Sequence, residues 1–175
     1  MVLLPLLAYL LPMNTMLARP ARRRSLKPPS LEEFLSYWDS KKSGRTFPSR
    51  LDLDPVDIPN MLPFVFLVDV LGQGHDFRYR LVGTDIVRNT KKDFTGYLLS
   101  EIREIGSQGK LIEMYQRTVA DKAPVTERLP FKTRGGVKKF YDVAVTPLSR
   151  NGEVVDMLFG YALHGENVAR SGVDI

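Results

Sequence analysis

Residues 64–83 restrict the fold more than any other stretch of this 175-residue chain. The run FVFLVDVL (64–71) is apolar, aromatic and β-branched, and it has the length of a strand. FRYRLVG (77–83) alternates, with Phe77, Tyr79 and Leu81 on one face and Arg78 and Arg80 on the other. GQGHD between them reads as a turn, so the two strands pair as an antiparallel hairpin with one packed face and one wet face. The same signals return near the C-terminal end. PVTERLPF (124–131), VKKFYDVAVTPL (137–148) and EVVDMLFGYAL (153–163) are strand candidates, linked by the hairpin sequences TRGG and SRNG.

Helices surround and separate these hairpins. In SLEEFLSYWDSKKSG, Leu31, Phe34, Leu35 and Trp38 follow the i, i+3, i+4, i+7 spacing of one helical face. Ser30 and Glu33 form a capping box, Lys41 and Lys42 complement the C-terminal end, and Gly44 suits the cap, which predicts a helix over 31–42. Residues 84–106 read as short helical pieces, TDIVRNT and LLSEIREI. A longer helix is predicted over 108–121, with Leu111, Ile112, Tyr115 and Val119 as its apolar stripe and Pro124 beyond its end. The order is helix, two strands, helices, three strands. That is an α+β domain with one antiparallel sheet; the βαβ alternation of a parallel dinucleotide-binding sheet is absent. A chain of this length forms one domain with one core.

Composition removes several chemistries. There is no cysteine, and with it go disulfides, thiolate nucleophiles, Cys-based zinc sites and a flavin–cysteine adduct. Residues 1–30 hold Arg19, Arg22, Arg23, Arg24 and Lys27 and no acid, so the whole net charge of +5 sits there; the remaining 145 residues carry 20 basic and 20 acidic side chains. A neutral body lacks the electrostatic footprint of a nucleic-acid binder. Residues 1–29 are expected to be a flexible apolar and basic leader. The alternatives are a start codon placed too early, with Met13 or Met16 as the true start, and a membrane-surface segment formed by residues 1–27. Residues 30–165 form the domain and 166–175 a C-terminal tail.

The stretch FPSRLDLDPVDIPNMLPFVFLVDV (47–70) gathers Asp52, Asp54, Asp57 and Asp69 among Pro48, Pro55, Pro59 and Pro63. A phosphohydrolase D-x-D would end an apolar parallel strand, and none precedes Asp52. A calcium loop needs a mid-loop glycine and a closing glutamate, and neither is there. Asp54 before Pro55 instead reads as an N-cap with proline at the first helical position. Local salt links of Arg50 with Asp52 or Asp57 are expected, and no metal site. With no G-x-S-x-G and no nucleophile–base pair, catalysis is not expected.

These motifs together resemble a bacterial family of short, stand-alone PAS-like proteins. The resemblance covers about 30–163 and rests on Trp38 in the first helix, the P-S-R-x-D-x-D-P-x-x-I-P run (Pro48, Ser49, Arg50, Asp52, Asp54, Pro55, Ile58, Pro59), the strand ending in Asp69, R-Y-R-L-x-G-T (Arg78, Tyr79, Arg80, Leu81, Gly83, Thr84) and Gly96 in the following turn. It implies a five-stranded antiparallel sheet with strands one and five adjacent, helices on one face and an N-terminal flanking helix. It also implies a space between sheet and helices that holds a small ligand in some members and only side chains in others. Haem-holding members take an imidazole from the helix before the third strand. The equivalent helix, 108–121, has no histidine, so haem is not expected; the chain's two histidines, His75 and His164, fall in a turn and at the end of the last strand.

The expected role is that of a cytoplasmic sensory module that binds a small molecule, a protein partner or a second copy of itself. The alternatives are a ligand-free interaction or dimerisation module and a regulator at the inner membrane surface. Tyr79, Arg80, Tyr115, Phe140 and Tyr161 are the candidate ligand-binding residues, with Tyr115 as the polar handle. Arg78 and Arg80 are otherwise expected on a solvated face, or paired with Asp142 and Glu127 across the sheet. With no kinase, cyclase or helix-turn-helix segment, output is expected through protein contacts. The open sheet face and the first helix, with Phe34 and Trp38, are the expected surfaces unless those two side chains are buried inside the chain.

Overall fold

A computed structural model describes residues 27–102, 107–132 and 137–165. The leader up to residue 26, the TRGG link and the tail from 166 lie outside the described residues. The first helix, α1, spans Leu31–Ser40, two residues shorter than expected at its end. Its start is as the sequence requires: Ser30 Oγ accepts from the Glu33 amide at 3.1 Å, and the Glu33 carboxylate accepts from the Ser30 amide at 2.6 Å. The remaining elements are β1 (Val65–Leu71), β2 (Asp76–Val82), α2 (Thr84–Thr90), α3 (Gln108–Asp121), β3 (Val125–Lys132), β4 (Lys138–Leu148) and β5 (Met157–His164). All five strands join one antiparallel sheet in the order β2-β1-β5-β4-β3, so β1 and β5 lie side by side at its centre. Among the described residues, no helix is long and apolar enough to cross a membrane.

Pairing register assigns the two faces. Tyr141 pairs with His164, Val143 with Ala162, Val145 with Gly160 and Gly160 with Phe66, so these share the inner face, the one α3 covers. Ala144–Tyr161 and Thr146–Phe159 alternate onto the outer face. There α1 covers them: the Phe34 ring stacks on Tyr161 at 5.1 Å and meets Phe159 at 4.8 Å, and Trp38 Nε1 donates to the Pro147 carbonyl at 3.0 Å. Phe34 and Trp38 are thus buried inside the chain and do not form an open contact surface. Each contributes about 2 kcal/mol by leaving water.

The β1–β2 hairpin departs from the simple alternation. Val68 pairs with Tyr79 but Leu67 pairs with Leu81, so Arg80 is an extra residue in β2. This bulge turns Leu81 away from the face of Phe77 and Tyr79 and leaves it 40% exposed, while Val82 takes the inner face opposite Phe66. Gly83 then passes so close to the Pro63 backbone carbonyl that a Cβ would collide with it.

The acids of the stretch 47–70 are caps and ion-pair partners, as expected, but not with Arg50. Asp52 accepts from the Ser49 amide at 2.6 Å and pairs with Arg45 at 2.6 Å; the Ser49 amide first, then Arg45, holds its carboxyl below the usual range. Asp54 caps Val56 at 2.9 Å ahead of Pro55, and Asp57 pairs with Lys41 at 2.7 Å. Arg50 donates to the Leu53 carbonyl at 3.1 Å. The Pro48 carbonyl accepts from Ser149 at 3.0 Å, which ties this segment to the end of β4. Pro59 follows the second single turn, and Gly96 donates to the Tyr79 carbonyl at 2.7 Å, closing the free edge of β2.

Candidate functional site

The helices do not fill the inner face. Between the sheet, α2 and α3 lies a chamber of about 430 Å³, within the size range of small-molecule pockets. Its origin is local. Gly160 has no side chain, so the Phe66 ring lies directly over its Cα, where any Cβ would collide with the ring. The next inner residue of β5 is Ala162, again small. The floor is therefore shallow, while Tyr79, Phe94, Phe131 and Tyr141 form aromatic walls. Ile86 and Asn89 of α2 close one side, with Lys91 and Lys92 just beyond that helix. Among the described lining residues there is no carboxylate.

The buried polar groups of the chamber are neutral, and Lys91 and Lys92 supply the basic side chains of its lining. The Tyr79 and Tyr115 hydroxyls share a hydrogen bond at 3.0 Å, and the Tyr141 hydroxyl shares one with Ser107 Oγ at 3.2 Å. Burial pushes the Tyr79 phenol up to about 12 and raises Tyr115 and Tyr141 as well. His164 is 6% exposed. Its ring stacks on Tyr141 at 5.0 Å and meets the edge of Phe131 at 5.4 Å. Burial pushes its imidazole down to about 4, so it is uncharged near neutral pH. Its Nδ1 is buried with no hydrogen-bond partner. Buried polar atoms are normally paired, so this nitrogen, covered by protein on all sides, is an exception among the described residues.

Of the five expected ligand residues, the structure brings Tyr79 and Tyr115 together in the chamber and separates the other three. Arg80 projects from the bulge to the outer side and pairs with Asp69 at 3.0 Å, a carboxylate within the protein. Its expected cross-sheet partners are out of reach because β2 and β3 form opposite edges: Asp142 pairs with Arg128 at 2.7 Å and Glu127 with Arg117 at 2.8 Å. Phe140 is 44% exposed on the outer face, where it pairs with Pro130. Tyr161 is buried under α1, and its hydroxyl donates to the Pro29 carbonyl at 2.7 Å. Both misplacements are one-residue parity errors. Their neighbours Tyr141 and Ala162 take the inner positions, and Phe66, Phe131 and His164 complete the walls. The small Ala162 in GYALH was the sequence signal that its face, not the face of Tyr161, borders the chamber.

A family model described as a PAS domain matches residues 26–163. The chain belongs to the PAS domain family. Membership places this PAS domain among sensory signalling modules, and its five-stranded antiparallel sheet is the fold of that family. The PAS domain of Bordetella pertussis BvgS is similar in fold at a TM-score of 0.51, with 15% identity over 66% of this chain and 85% of that one. The LOV domain of a blue-light activated histidine kinase from Erythrobacter litoralis EL346 matches at 0.46, with 14% identity over 59% of this chain and 96% of that one. Comparison with curated protein sequences finds no match.

Proposed function

We propose that this PAS domain is a non-catalytic sensor that holds a small, largely apolar molecule in its chamber and reports it to a protein partner or a second copy of the chain. The observation that supports this is the chamber itself: about 430 Å³ with aromatic walls. β5 supplies a short route outward. Ala162 and His164 line the chamber, while Phe159 and Tyr161 on the same strand face α1 and the segment at Pro29. A molecule that presses on the inner side of β5 therefore acts directly on the seat of Phe34. Any flavin held here would be held without a cysteine adduct, since the chain has no cysteine. Haem is not part of this reading.

Native mass spectrometry of the full chain as isolated tests it. A small organic mass that leaves on unfolding supports the sensor. A bare protein mass, together with no thermal shift from a set of small aromatic compounds, favours the ligand-free interaction module instead.

A further inference from the structure

We propose that the chamber takes a small aromatic carboxylate, with its ring between the aromatic walls and its charge at the mouth beside Lys91 and Lys92. This rests on the reading of the chamber as a ligand site and adds the charge of the ligand. The lining divides in two. Its inner part is aromatic and aliphatic, and the hydroxyls there are engaged, Tyr79 with Tyr115 and Tyr141 with Ser107. Its other part is four consecutive polar residues, Asn89, Thr90, Lys91 and Lys92, where α2 ends. Lys91 is exposed and Lys92 half-buried, so this side meets water and forms the mouth. Asn89 and Thr90 are occupied within the chain. Asn89 Nδ2 donates to the Asp85 carbonyl at 2.9 Å and to its carboxylate at 3.0 Å, and Thr90 Oγ1 bonds the Ile86 and Lys92 carbonyls at 2.9 Å each. The two lysines therefore set the character of the mouth.

A lysine at the end of a helix complements the helix dipole, and α3 ends in the same way on Lys122. The Lys122 ammonium, however, donates to the Glu153 carbonyl at 2.9 Å, whereas that of Lys91 has no hydrogen-bond or ion-pair partner among the described residues. The acids on either side are engaged elsewhere: Asp85 pairs with Arg88 at 3.0 Å, and Asp93 accepts from the Thr95 amide and hydroxyl at 2.9 and 2.7 Å. Lys92 Nζ lies 5.7 Å from the centre of the Phe94 ring, so its charge stands against a ring that lines the chamber. Charge of one sign beside low-dielectric walls draws a ligand of the opposite sign, and a cation would find no carboxylate among the described lining residues. A carboxylate at the mouth keeps part of its hydration and avoids the cost of burial, while a flat ring fills the space between the aromatic walls.

The test uses the full chain and three matched probes, naphthalene, 2-naphthamide and 2-naphthoate, titrated by calorimetry at neutral pH. The amide is the neutral counterpart of the carboxylate, so their ratio isolates the charge. The expected result at low salt is that 2-naphthoate binds about fivefold more tightly than 2-naphthamide, the size of one solvent-exposed ion pair. That preference should shrink in about 0.5 M salt, because an exposed pair is screened. Lys91→Gln combined with Lys92→Gln should bring the ratio to one. The salt series needs no variant, so it decides the matter even if the double variant fails to fold. If naphthalene or the amide binds but 2-naphthoate binds no more tightly than the amide, the charge assignment is overturned and the chamber stands as a ligand site. A preference that salt leaves unchanged, or that survives in the double variant, overturns it equally. Failure of all three probes to bind removes the charge assignment and the ligand-site reading together.

Discussion

Acidification should weaken this domain through His164, and the effect can be sized. The folded imidazole titrates at about 4 against an ordinary 6.5, with burial as the cause. Between those values the unfolded chain holds a proton that the native state does not. Stability therefore rises with pH across the window and is lost as pH falls from 6.5 towards 4. The full shift corresponds to roughly 3 kcal/mol, and the loss between pH 7 and pH 5 to about 2 kcal/mol. Urea denaturation of protein refolded free of small molecules, at those two pH values, measures it. His75 and the carboxylates contribute equally to the wild-type protein and to His164→Leu, so the difference between the two isolates the buried imidazole. Wild type should lose about 2 kcal/mol more than the variant. Parallel losses, or a His164 that titrates near 6.5 by NMR, would show that the ring reaches water and that the chamber is not the enclosed aromatic space described here.

Three further outcomes follow from the packing. Gly160→Ala sets a methyl group where the Phe66 ring lies, so the ring must swing towards Tyr115; denaturant melts should show a loss of about 1–3 kcal/mol, with weaker naphthalene binding as the chamber fills. Tyr79→Phe and Tyr115→Phe should each cost about 1 kcal/mol, and the double variant less than their sum by a similar amount, because either single change leaves the other hydroxyl without its partner. Trp38→Ala removes the anchor of α1 and its bond to the Pro147 carbonyl and should cost about 3–5 kcal/mol by thermal or chemical unfolding, whereas Trp38→Phe should cost clearly less.

Local signals made most of the fold legible. The Ser30–Glu33 capping box and the face formed by Leu31, Phe34 and Trp38 placed α1, and the apolar stripe around Leu111 and Tyr115 placed α3 with the bounds the structure has. Alternation in FRYRLVG placed β2 up to Arg80 and failed after it. The bulge is set by pairing with β1, a non-local property that no count of alternating residues contains. The site was harder to read for the same reason. Deciding which of Phe140 and Tyr141, or Tyr161 and Ala162, faces the chamber requires the register across β4 and β5, and a slip of one residue exchanges the faces. Tyr115 was legible because a helical stripe has one inward side. His164 was visible as a rare residue at a strand end, but its orphaned nitrogen appears only once Tyr141 and Phe131 are packed against it. The ion pairs show a parallel limit: Arg45–Asp52 and Arg80–Asp69 are set by chain geometry that charge and proximity in sequence do not rank.

A hollow, mostly apolar interior is the central claim, and xenon tests it most directly. Crystals of the full chain exposed to pressurised xenon should show the gas bound between β5 and α3, beside Tyr115 and Ala162, as apolar cavities smaller than this one bind it. Absence of xenon there, with the rings of Phe66, Phe131 and Tyr141 closed onto one another, would contradict the chamber and the sensory role built on it.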